Sequence, residues 1–257
     1  MFSQVDGNYY AQLIGAYALS EAYAMTRVPA VKDAAEKAIR KVIDGQQAGG
    51  GFDYKLNANS DRNDLSYSGW ATQAIKAAHL AGLDIKDASG ADLLHNAYEK
   101  CKNGIRQNCI GGSSSYSGAF SYVASQGNTH VGLTGVGVLC LQLLGDANCS
   151  EVKSALDFLD GCTFSFDNWS QQPYPQGDNP SPIYYWYYIT QAKFHSGGDR
   201  WKKWNAMFQK ELIAKQNVKT KESTDYYNKN AKPGSLASKA NMVQLYNEKN
   251  DKSDKKN

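Results

Sequence analysis

Four aspartates stand in polar loops where a carboxylate could do chemistry: Asp53, Asp61, Asp64 and Asp178. Two carboxylates converging beside aromatic platforms would suit glycoside hydrolysis, one as acid and the other as base or nucleophile. Asp61 and Asp64, close together in Ser60-Asp61-Arg62-Asn63-Asp64-Leu65-Ser66, are the catalytic candidates. Asp64 also stands directly before an apolar helical pattern. A carboxylate there caps the helix and meets its dipole, which is the reading the position favours. His79, His95 and His130 have no ligand spacing to one another. His130 precedes an apolar helix and joins the candidate binding residues, although a hydrogen-bonded structural imidazole suits it better. The densest feature is Tyr184-Tyr185-Trp186-Tyr187-Tyr188. Five consecutive aromatics cover every side of a helix, so some face inward, where they offer rigid contact area to an apolar ligand, a cation or a protein segment. Helical spacing puts Tyr185 and Tyr188 on one face and Tyr184, Tyr187 and Gln191 on another. Trp70 is a further aromatic candidate, for which packing is the simpler role. No nucleophile elbow, phosphate loop, dinucleotide fingerprint or His-Glu-x-x-His is present, so no cofactor is implied.

The elements that must position these residues alternate between two kinds. Residues 9–26, 64–83, 130–145 and 183–198 are rich in Ala, Gly, Leu and aromatics, and carry only Glu21, Asp64, Lys76 and Lys193 as charges. Residues 31–47, 90–106, 149–162 and 199–216 are amphipathic and hold 23 charges. A helix nearly free of charge is covered on most sides, and one with a charged face lies outside. Four such pairs predict an all-α fold with an inner and an outer helix layer. Glycine-rich loops follow the outer helices. Gly49-Gly50-Gly51-Phe52 and Gly111-Gly112 ahead of Tyr116 predict short hairpins there.

Composition sets the limits. The 257 residues are 42% hydrophobic, enough for a sizeable core. The net charge is +3, which excludes a strongly basic nucleic-acid protein. That charge belongs to residues 217–257, where 9 Lys face 5 acids in a polar stretch. The expected division is a helical repeat domain over 1–216 and a largely disordered tail over 217–257, with one weak helix at 235–248. No leader pattern opens the sequence, and the apolar stretch at 131–145 is too short and glycine-rich to span a bilayer. A chain without a transmembrane segment, cytoplasmic unless a leader was removed, is expected. Cys101, Cys109, Cys140, Cys149 and Cys162 form no CxxC, and an odd count argues against full disulfide pairing. Reduced, partly buried thiols fit better than a Cys101–Cys109 loop.

The blocks DLSYSGWATQAIKAAHLAGL, LTGVGVLCLQLLG and YYWYYITQAKFHSGGDRWKKWNAMFQKELIAKQ together resemble the prenyltransferase and squalene-oxidase repeat proteins. These are relatives of squalene–hopene cyclases and of protein prenyltransferase β subunits. Gln46-Gln47 followed by Gly49-Gly50-Gly51-Phe52-Asp53-Tyr54 resembles that superfamily's Gln-Trp motif, with Phe52 in the aromatic place. The resemblance covers residues 9–216. It implies an α/α toroid, with inner and outer helices around an apolar centre, and an activity on isoprenoid substrates. Full rings in the family hold more helix pairs than the four here, so an open or incomplete ring is expected. The cyclases' Asp-x-Asp-Asp is missing. The prenyltransferase zinc set is matched in part by Asp160-Gly161-Cys162, with His195 well beyond the position where the family's histidine opens a helix. The sequence therefore predicts a toroid-like domain without the family's catalytic groups and without a metal. Its concave aromatic face would bind an apolar small molecule or a protein segment.

Overall fold

The computed structural model describes residues 10–112, 116–124, 131–165 and 182–215. His130, Asp178 and residues 217–257, with the helix expected at 235–248, lie outside them. The chain separates into two compact units, 1–209 and 210–257, and everything below concerns the first. Among the described residues the fold is all-α. The helices are α1 (Tyr10–Thr26), α2 (Pro29–Asp44), α3 (Leu65–Ala81), α4 (Leu93–Arg106), α5 (Thr134–Leu143), α6 (Ser150–Asp160), α7 (Pro182–Ser196) and α8 (Gly198–Lys215).

Local chemistry sets several helix ends. Pro29 opens α2, where a missing N–H costs nothing. Asp92 caps α4 by accepting from the His95 N–H at 2.9 Å. Gly82 closes α3 in the left-handed region (φ 72°), and Leu83 N–H returns to the Ala78 carbonyl. The charged helices bury one stripe each, as their pattern requires. In α2 this is Ala35, Ala38, Ile39 and Val42; in α6 it is Val152, Ala155, Leu156 and Leu159. The charge-poor helices are covered far more widely. Every residue of α5 from Thr134 to Leu141 is buried, and in α3 so are Leu65 to Gly69 and most residues beyond.

These helices pack in the order that the division implies. α1, α3, α5 and α7 form a row, each against the next. α2 packs on α1 and α3, α4 on α3 and α5, and α6 on α5. The row is parallel throughout. Tyr10 at the start of α1 meets Ser66 at the start of α3, and Arg27 just past α1 bonds the Ala81 carbonyl ending α3. Gly69 of α3 abuts Val136 of α5. Gln142 near the end of α5 donates to the Ala192 carbonyl near the end of α7, at 3.0 Å. Small residues permit this closeness: a Cβ on Gly135 would sit 2.7 Å from the Ile189 nitrogen of α7.

The loops depart in part from the expected hairpins. Residues 108–110 do pair with 119–121, through Ile110 N–H to Ala119 O and Ser121 N–H to Asn108 O, both 2.8 Å. The earlier loop does not. A tight turn joins Gln47 and Gly51, and Phe52 then pairs with Asp64, whose N–H donates to its carbonyl at 2.9 Å. The turn is held this way because Gly50 (φ 92°) lies flat against Lys100 and Gly104 of α4, leaving no room for a side chain. Leu65 N–H continues to the Tyr122 carbonyl at 2.8 Å, and Asp64 bridges Val123. The chain entering α3 is thereby tied to the segment that leads toward α5.

Candidate functional site

Two features stand out on the charge-poor helices: a polar cluster where α1 and α3 begin, and an aromatic face turned away from the charged layer. The cluster is centred on Asp64, which is fully buried. One carboxylate oxygen accepts from the Tyr67 N–H (3.0 Å) and the Ser66 hydroxyl (2.6 Å), and the other from Arg62 (2.7 Å). Since Ser66 gives its one proton to Asp64, Tyr10 is the donor in the 2.7 Å bond between their hydroxyls. Tyr122 donates to Asp64 as well, so Tyr54 is the donor in its 2.7 Å bond to Tyr122. Two hydroxyl chains thus end on one carboxylate. Arg62 bridges to Asp53 (2.6 Å) and lies over the rings of Tyr54 and Tyr122, 5.0 and 5.6 Å from their centroids.

The electrostatics are those of an ion-pair lock. Burial works against the charge on Asp53, but Ser60, the Tyr54 N–H and Arg62 outweigh it and hold the carboxyl below its ordinary range. Burial raises the phenols of Tyr10, Tyr67 and Tyr122, so they stay protonated as donors. Asp53 and Asp64 do converge beside aromatic rings, as a two-carboxylate site requires. Both, however, accept from the same guanidinium, and Asp64 accepts three further hydrogen bonds. Asp61 is exposed, outside this network.

The aromatic face follows from helical spacing. In α1, Tyr10, Ile14, Tyr17 and Glu21 form one stripe. It lies opposite Gln12, whose amide donates to Ala38 of α2. In α3, Ser66, Trp70 and Gln73 share a face, and Gln73 reaches the Tyr188 hydroxyl at 3.5 Å. In α7, Tyr184 and Tyr188 pack edge to face at 4.9 Å, with Tyr187 5.1 Å from Tyr188. Tyr17 is raised by burial, by Glu21 and by Tyr187; the centroid of its ring lies 6.4 Å from that of Trp70. On these helices Ile14 is 42% and Tyr187 54% exposed, while Tyr10, Tyr17 and Trp70 are half-buried. Burial is deeper under α7, where it pushes the Tyr188 phenol up to about 12.

Compared with known proteins, the chain matches no family model, no curated protein and no solved structure.

The five aromatics of α7 divide differently from the expected grouping. Tyr184 pairs with Tyr188, one full turn on, while Tyr185 lies against Gly132 at the entry to α5. Trp186 points the other way. It is sealed on Phe164, centroids 4.3 Å apart, and donates to the Thr163 carbonyl. Of the weak metal set, Asp160 is engaged by Lys193 (3.2 Å) and Arg200 (2.8 Å), Cys162 is buried and His195 is exposed beside Phe194. Among the described residues, no three His, Cys, Asp or Glu side chains are placed to hold a metal. Sequence reading missed Arg62, Tyr10, Tyr17, Tyr54 and Tyr122. The seven-residue interval between Tyr10 and Tyr17 was a usable signal for one face of α1; the pairing of Tyr54 with Tyr122, 68 positions apart, left none.

Proposed function

We propose that the chain is an α/α toroid-like binding domain related to the prenyltransferase and squalene-cyclase repeat proteins. It lacks their catalytic groups and holds an apolar ligand on the aromatic faces of α1, α3 and α7, which would line a groove. The observation that carries the reading is exposure in an unexpected place. Charge-poor helices are the most covered elements of the fold, yet Ile14 of α1, Leu80 of α3, and Ile183, Tyr187 and Phe194 of α7 remain exposed. Apolar surface left open beside rigid tyrosines suits a ligand. Gln191, on the same side of α7 as Tyr184 and Tyr188, adds a buried amide N–H group that has no hydrogen-bond partner among the described residues. The Asp53–Arg62–Asp64 lock supports binding over catalysis, since its carboxylates are committed to structure.

Titration with the neutral dye Nile red tests this. Wild type should give a saturable, blue-shifted emission, and Tyr187→Ala should weaken it while leaving the helical circular dichroism intact. Trp186→Ala is the contrast, since removing a sealed ring costs on the order of 3–5 kcal/mol of stability. Dye uptake that ignores Tyr187→Ala would sink the groove.

A further inference from the structure

We propose that Cys109 and Cys149 form a dithiol site, which a low-molecular-weight disulfide oxidises to a bond between the loop after α4 and the start of α6. These two are the partly covered thiols of the five; Cys101, Cys140 and Cys162 are buried. They stand far apart in sequence, yet Arg106 at the end of α4 fastens both to one place. Its carbonyl accepts from the Cys109 N–H at 2.9 Å. Its guanidinium hydrogen-bonds the Cys149 side chain and bridges Asp146 (2.6 Å) and Glu151 (3.3 Å), which stand on either side of Cys149 in the chain. Glu151 is hydrogen-bonded to Cys149 as well. Cys149 occupies the N-cap position of α6, but its side chain makes no capping bond, so no helix end depends on the sulfur.

The packing brings Cys109 to the same side. It pairs across the loop with Phe120, and residues directly opposite in an antiparallel pair share a face. Phe120 lies against Gly137 of α5, so Cys109 is on the side toward the helices. Gly118, in the same paired segment, abuts Ser154 in the second turn of α6. Cys109 and Cys149 accordingly pack on one apolar cluster. Burial, then Glu151 and Cys149, raise the Cys109 thiol, which leaves the first attack to Cys149. The Cys149 thiolate attacks one sulfur of the small disulfide, forming a mixed disulfide and expelling the other half as a thiolate. Cys109 then loses its proton and attacks the Cys149 sulfur, expelling the second half. Two protein thiols are oxidised and one small disulfide is reduced to two small thiols, which take up the two protons. The buried thiols take no part, because the attacking sulfur and the small disulfide must meet in line at an accessible surface.

The test is incubation of the reduced full chain with oxidised glutathione under native conditions, read by intact mass and by peptide mapping after chymotryptic digestion. Wild type should lose two free thiols, retain no glutathione and yield one cross-linked pair of peptides, Cys109 with Cys149. Dithiothreitol should restore both thiols. Cys109→Ser removes the second step, so it should take up one glutathione at Cys149 and keep it. Cys149→Ser removes the first, so its Cys109 should stay unmodified over the time in which wild type is fully converted. Cys109→Ala and Cys149→Ala repeat these readings without a hydroxyl in place of the thiol. Stable glutathione on both cysteines of wild type, a cross-link that joins either one to Cys101, Cys140 or Cys162, or no reaction in native protein overturns the proposal. None of these readings involves the aromatic faces, so the outcome is independent of the Nile red titration.

Discussion

At the scale of single residues, Arg62 decides the polar cluster. Its guanidinium pairs with Asp53 and with fully buried Asp64. Arg62→Met would keep most of the volume but leave Asp64 without its cation. Breaking one side of a buried pair costs roughly 3–5 kcal/mol, and the lower end applies here because Arg62 is partly exposed and Asp64 keeps its other donors. Denaturant unfolding should show that loss, while exposed Asp61→Asn should stay within about 0.5 kcal/mol of wild type. A stable Arg62→Met protein would mean that the hydroxyl donors alone hold Asp64. Asp53 gives the cluster a pH dependence of definite sign. Its folded pKa lies below the ordinary 3.8, so its contribution is whole above that value and is lost as pH falls through the lower folded one. Stability measured on the acid side should therefore fall less steeply in Asp53→Asn than in wild type. An unchanged slope would place the acid sensitivity elsewhere.

At the scale of elements, the close approach of α5 and α7 rests on glycine. A methyl on Gly135 meets backbone atoms of Tyr188 and Ile189, which cannot swing aside as a side-chain tip would. Gly135→Ala should thus destabilise by about 1–3 kcal/mol, despite alanine's better helix propensity, and should disturb α7 most. Thermal melts and amide exchange along α7 would check it; a neutral or stabilising effect would show that the helices can separate at little cost. The helix pattern itself was legible in the sequence. The charge partition placed all eight helices of the described residues, because a helix covered on several sides cannot carry charges and one facing water must. The two loops were less legible. Both contain adjacent glycines, yet only in the second do the flanks pair, 108–110 with 119–121. Whether the first loop folds on itself or against α4 is set by Gly104, far along the chain, which no local pattern encodes.

For the whole molecule, the five cysteines report how tightly the layers close. All are free thiols. Cys101 and Cys140 are fully buried, and burial pushes the Cys101 thiol up to about 12. Cys162 is buried too, whereas Cys109 and Cys149 are only partly covered. A thiol reagent applied to native protein should label Cys109 and Cys149 first. The other three should react only as fast as the fold opens, and all five should react together in denaturant. Fast native labelling of Cys101 or Cys140 would contradict the packing of α3, α4 and α5.

The sequence by itself determined which segments are helical, which of them are charge-poor, and that Asp64 caps a helix. Each follows from local periodicity or from one side chain reaching its own backbone, as Asp64 does to Tyr67. Tertiary structure alone decided which groups act together. Asp61 and Asp64 were the catalytic candidates, but Asp61 lies exposed and Asp64 shares Arg62 with Asp53 instead. Trp186 looked equivalent to its four neighbours until Phe164 and Thr163 sealed it, leaving Tyr187 on the open side. A helix presents side chains in every direction. Which direction is core, neighbour or groove depends on elements tens to more than a hundred residues away, and residues 73 and 188 meet only once the chain has folded.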